Sequence, residues 1–128
     1  MDKETPREER RKYPRVFLDL PLEYRVMDAP YAHAGLVVNA SEMGLLINSV
    51  KDILIGSKLN IAVLFPKGFE LTNFEVSAEI IWKDHHWEEN SEGYRYGLKF
   101  IEILEEDRRK LKQLLSSRYP SGELFPRS

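Results

Sequence analysis

Cysteine is absent from the 128 residues. That excludes disulfide frameworks and thiolate metal sites, and it suits a reducing compartment. No apolar run approaches the ~20 residues that span a bilayer. Nothing at the N-terminus resembles a secretion leader, because Met1 to Arg15 is almost wholly polar. A cytoplasmic protein without a membrane span is expected. A large excess of either charge is also missing: the formal net charge is −2, so there is no global pull toward nucleic acid, and any anion site must be local. P-loop, GxSxG and HExxH patterns are absent, and His85-His86 would point to opposite faces of a strand. The carboxylates fall in helix-start and loop contexts. No catalytic constellation, metal site or cofactor site is expected, and the chain reads as a non-enzyme. Its length allows one domain with a real core.

What is present is short, alternating and interrupted. Met1 to Lys12 is charged and nearly free of apolar residues, so a flexible segment is expected over 1–12. A folded domain follows over 13–118, with a tail over 119–128. Strands are predicted over Val16 to Met27, Tyr31 to Val38, Leu45 to Asn48, Lys58 to Phe65, Phe74 to Lys83 and Tyr94 to Ile103. Pro21 inside the first predicts an edge position or a bulge. Trp87 to Gly93 reads as a polar loop. A C-terminal helix is predicted over about 105–117, with Glu105, Glu106 and Asp107 in its first turn and an apolar side of Leu104, Leu111, Leu114 and Leu115 that docks on the sheet. The fold class is mostly β: a six-stranded antiparallel barrel or sandwich with one helix.

Two stretches carry chemistry. Arg10-Arg11-Lys12-Tyr13-Pro14-Arg15 places four cations just before the first strand. Guanidinium groups clamp phosphate, pair with guanine O6 and N7, and stack on purines. Arginines on one extended segment could therefore wrap a compact ligand with two phosphates and two purines. In Asn39-Ala40-Ser41-Glu42-Met43-Gly44, Asn39 offers an amide to a base edge, and Ser41 offers a hydroxyl to a phosphate or to the turn. Gly44 would permit positive φ and close approach of a ligand.

Arg11 to Arg15 matches RxxxR, and Asn39 to Gly44 matches [D/N]xSxxG. Their order and separation resemble the PilZ family of bacterial cyclic di-GMP receptors, and Tyr96-Gly97-Leu98-Lys99-Phe100 looks like that family's closing strand. The resemblance implies a six-stranded β-barrel with a flanking helix. It implies that Arg10, Arg11 and Arg15 bind guanine and phosphate, with Asn39, Ser41 and Gly44 completing the site. Trp82 occupies a position from which some members press an aromatic against the ligand. The alternation of Val76, Ala78, Ile80 and Trp82 by itself favours a core tryptophan. Asn39 stands where many members carry Asp, which leaves one acceptor fewer for guanine N1–H and N2–H. The implied function is a monomeric or homodimeric effector that orders its N-terminal segment on binding cyclic di-GMP and signals to an unidentified protein. The rival readings are a nucleotide-independent interaction module of the same fold and a small barrel that binds single-stranded nucleic acid.

Overall fold

A computed structural model describes residues 14–88 and 91–118. Six strands are formed: β1 (Val16–Val26), β2 (Ala32–Ala40), β3 (Gly44–Ser49), β4 (Lys58–Lys67), β5 (Glu70–Glu88) and β6 (Ser91–Glu102). One helix follows, α1 (Glu105–Arg118). All neighbouring strands are antiparallel, and the order β1-β2-β3-β6-β5-β4 closes on itself as a barrel. The expected segment 1–12 and tail 119–128 lie outside the described residues.

Period-two alternation fills the barrel. In β1, Val16, Leu18, Leu20, Leu22 and Tyr24 point inward, and the residues between them are exposed. Val37, Leu45, Ile47, Leu59, Val63, Phe74, Ala78, Ile80 and Tyr96 are fully buried in the same core. Pro21 sits where its missing N–H is harmless. β1 pairs with β4 only over Leu22 to Val26, so at Pro21 only the β2 side is engaged among the described strands. A register shift lies just before it, between Phe17 and Leu20, with Asp19 at φ 55°.

Helix α1 packs against β5 and β1. Leu111, Leu114 and Leu115 are buried there, and the Asp107 carboxylate accepts the Glu75 N–H at 2.9 Å. Lys110 Nζ donates to the Asn73 carbonyl at 3.0 Å. Leu104, expected on the apolar side, precedes the helix and is 65 % exposed.

Within the expected polar loop at Trp87 to Gly93, the described residues 87–88 and 91–93 instead continue the β5–β6 hairpin, paired from Lys83↔Tyr96 out to Glu88↔Ser91. Polar strands are stable here because cross-strand neighbours substitute for a core. His85 stacks on Tyr94 at 4.8 Å, and Lys83 lies 5.0 Å over the same ring while pairing with Asp52. β2 likewise runs on to Ala40, so Asn39 is a strand residue.

Candidate functional site

The β2–β3 turn is held from three sides. The Ser41 N–H donates to the Gly44 carbonyl at 3.0 Å, the Met43 N–H donates to Ser41 Oγ at 3.1 Å, and the Phe100 N–H of β6 donates to the Met43 carbonyl at 2.9 Å. Ser41 is 4 % exposed, so its hydroxyl serves the turn. Gly44 corrects the reading from sequence. Its φ is not among the positive values, and a Cβ there would lie 2.2 Å from the Leu98 carbonyl oxygen. Glycine at this position lets β3 close on β6.

Arg15 enters at the foot of β1 and donates from a terminal guanidinium nitrogen to Asn39 Oδ1 at 2.8 Å. The two motifs therefore meet in space across 24 residues of sequence. Asn39 is half-buried and Arg15 exposed, so the guanidinium is oriented by an amide yet open to solvent. Arg10 and Arg11 lie outside the described residues.

Trp82 is 45 % exposed, against the core position that alternation favours. A register shift between Ile80 and Trp82 inserts one residue, leaves Ile81 and Trp82 both exposed, and turns the indole outward. Trp82 is then paired with Gly97, whose missing side chain makes room for it. A Cβ on Gly97 would lie 3.2 Å from Trp82 Cβ and 3.5 Å from Cε3. Following the registers sideways gives one row on the outer wall: Phe17, Asn39, Leu46, Gly97, Trp82. From Asn39 to Trp82 is three strand steps, roughly 14 Å along the wall. Leu46 is half-buried and floors the interval with Gly97. Sequence reading missed that floor, although a glycine inside a strand is a readable sign of close approach.

This wall is open and carries an exposed guanidinium, a half-buried amide and an exposed indole. Of the concave regions elsewhere, two along α1 are lined by cations, Arg109 and Lys112 in one and Lys67 and Lys110 in the other, and two have the wrong chemistry for an anion. One, of about 560 Å³, is lined by Glu23, Glu75, Glu102 and Asp107 with Arg25, which already donates to the Pro30 carbonyl. The other, of about 670 Å³, holds Asp19 and Glu92 and no cation among its lining residues. No group of metal-ligating side chains occurs among the described residues.

A second polar cluster closes the barrel end beneath the β3–β4 connection. Tyr24 Oη and Ser49 Oγ are 2.7 Å apart, and Tyr96 Oη donates to the Lys51 carbonyl at 2.5 Å while accepting the Ile53 N–H at 2.8 Å. Burial raises the pKa of both phenols, and that of Tyr96 reaches about 12. The hydrogen bond from Lys83 lowers that of Asp52.

A family description of the PilZ domain matches residues 9–117. The chain belongs to the PilZ domain family. No curated protein sequence matches it. Among solved structures, the inhibitor of motility MotI/DgrA of Bacillus subtilis is 20 % identical with a TM-score of 0.69, over 86 % of this chain and 51 % of that one. This chain thus spans about half that relative's length. The PilZ domain of YcgR from Escherichia coli, solved with c-di-GMP, is 16 % identical with a TM-score of 0.67, over 86 % of this chain and 92 % of that one. MrkH, a c-di-GMP-dependent transcription regulatory factor, is 13 % identical with a TM-score of 0.70, over 88 % of this chain and 52 % of that one. At these identities the likeness is one of fold. No described helix is long and apolar enough to cross a membrane.

Proposed function

We propose that this chain is a non-enzymatic receptor for cyclic di-GMP, binding it on the outer wall of the barrel. The observation that carries the reading is the 2.8 Å Arg15–Asn39 hydrogen bond, which joins the two motifs and orients an exposed guanidinium beside the row that ends at Trp82. Family membership and the c-di-GMP-bound YcgR domain support the choice of ligand. Arg15 takes a phosphate or a guanine edge, with Arg10 and Arg11 supplying further cations from the preceding segment. Asn39 orients Arg15 and meets a base edge, and the exposed indole of Trp82 offers a stacking face. Ser41 and Gly44 contribute by building the turn that fixes Asn39. Binding orders the residues around Arg10 to Arg15 and changes the charge shown to a downstream protein.

Isothermal titration with cyclic di-GMP tests this, and saturable binding that is lost in Arg15→Ala is expected. One observation favours the rival, nucleotide-independent module: Ser41 and Gly44 are fully explained by the turn and by β3–β6 packing. Absence of measurable binding by a folded protein would decide for it.

A further inference from the structure

Strand β3 stops before its neighbours do. Its last pairs are Leu36↔Asn48 with β2 and Ser49↔Tyr94 with β6. Past those points, residues 32–35 of β2 pair with β1, and residues 91–93 of β6 pair with β5. On the side that β3 has left, neither stretch has a strand partner among the described residues. The chain turns away at Val50 to cross the barrel end, where Ser49 Oγ accepts the Lys51 N–H and Tyr96 Oη accepts the Ile53 N–H. Because β3 fills the same interval just before, the two free edges stand one strand apart, roughly 10 Å. A concave region of about 670 Å³ lies between them, lined by Ala34 and Leu36 on one side, Glu92 and Gly93 on the other, and Val50 where β3 ends. Strand edges of this kind present rows of N–H and C=O groups that template another strand. The walls admit one. Ala34 and Gly93 are small, Leu36 and Val50 are exposed and apolar, and the charged lining residues, Asp19 and Glu92, are both acidic.

We infer that this slot takes an extended, basic segment of a partner protein, which continues the line of β3 and pairs with β2 and β6 at once. The segment runs antiparallel to both edges, as β3 does, and about four residues, ~13 Å of strand, match the length of the freed edges. Main-chain hydrogen bonds to two edges supply the affinity, as in other cases of strand addition. Side chains set the choice of partner: an apolar residue lies against Leu36 and Val50, and a lysine or arginine answers Asp19 and Glu92. Arg15, Asn39 and Trp82 are not among the lining residues, so the inference stands apart from the nucleotide reading.

The test uses the full chain and a synthetic peptide of alternating valine and lysine, five residues long, with capped ends. Saturable binding is expected, and hydrogen exchange should slow at those amides of 32–35 and 91–93 that do not face β1 or β5. The same peptide N-methylated at its three central residues keeps its charge but cannot pair, and should bind at least about tenfold more weakly. Glu92→Lys, at an exposed position, should keep the wild-type thermal midpoint, weaken the lysine peptide several-fold and favour a valine–glutamate peptide instead. No binding of the lysine peptide would overturn the inference. Equal affinity for the N-methylated peptide would overturn it too, because charge alone would then account for binding. So would slow exchange at those amides in the peptide-free chain: independent of protein concentration, it would assign the slot to the chain's own residues, and rising with concentration, to a second copy.

Discussion

At the scale of single residues, the site is a matter of which groups are already committed. Arg15 is oriented by Asn39 yet remains exposed. Arg15→Ala should cost at least about tenfold in cyclic di-GMP affinity, in keeping with ~1.5–3 kcal/mol for a charge-assisted contact. Arg15→Lys should also bind worse than wild type, since an ammonium cannot reproduce the fork. Asn39→Ala should leave the fold intact and weaken binding by several-fold. That substitution removes a hydrogen bond to the guanidinium worth ~0.5–1.5 kcal/mol as well as the amide itself. Titration of the three variants checks these outcomes, and wild-type affinity in Asn39→Ala would show that orientation of Arg15 is unimportant. The motif letters alone do not separate these roles. Asn39 and Arg15 face outward, whereas Ser41 is buried and Gly44 is pressed against Leu98.

Among the elements, β3 adjoins the turn after Asn39, and α1 packs against β5 and β1. β3 is six residues long and is held between β2 and β6. Gly44→Ala would drive a methyl into the Leu98 carbonyl, and since both atoms are backbone-borne, neither can rotate away. A loss of at least ~1–3 kcal/mol in denaturant unfolding is expected, together with weaker ligand binding as the turn shifts. Helix α1 depends on Leu111, which is fully buried. Leu111→Ala should cost ~2–5 kcal/mol, through lost transfer energy and the cavity left behind. By contrast, Glu105→Gln should be nearly silent in the same assay, because its 3.9 Å pairing with Arg109 is exposed and adjacent on the helix. β5 teaches the opposite lesson from its alternation. One inserted residue after Ile80 is enough to exchange inside for outside, and it turns Trp82 from the core to the outer face of the barrel.

For the whole molecule, closure of the barrel gives a pH dependence that no segment has alone. Tyr24 and Tyr96 are buried with raised pKa values, that of Tyr96 about 12. The folded state therefore holds their protons more tightly than the unfolded chain, whose phenols titrate near 10. Their contribution to stability is complete below about pH 10 and is lost as the pH rises toward 12. Denaturant midpoints should be level in this respect up to about pH 10 and then fall, and Tyr96→Phe should flatten the fall. A midpoint independent of pH between 10 and 12 would contradict the burial of these hydroxyls. Much of this molecule was legible beforehand in particular residues. The alternation from Leu18 to Tyr24 specifies a strand with one dry face, the acidic first turn and the leucines of α1 specify a docked helix, and the two motifs specify a family and hence a barrel. These features are local, and local periodicity and composition carry them. The β5–β6 ribbon was not legible, because its polar stretch is held by cross-strand stacking on Tyr94 rather than by apolar alternation. The outward turn of Trp82, the partnership of Arg15 with Asn39 and the row from Phe17 to Trp82 were not legible either. Each depends on register between strands far apart in sequence, and register is set by how the whole barrel packs and closes.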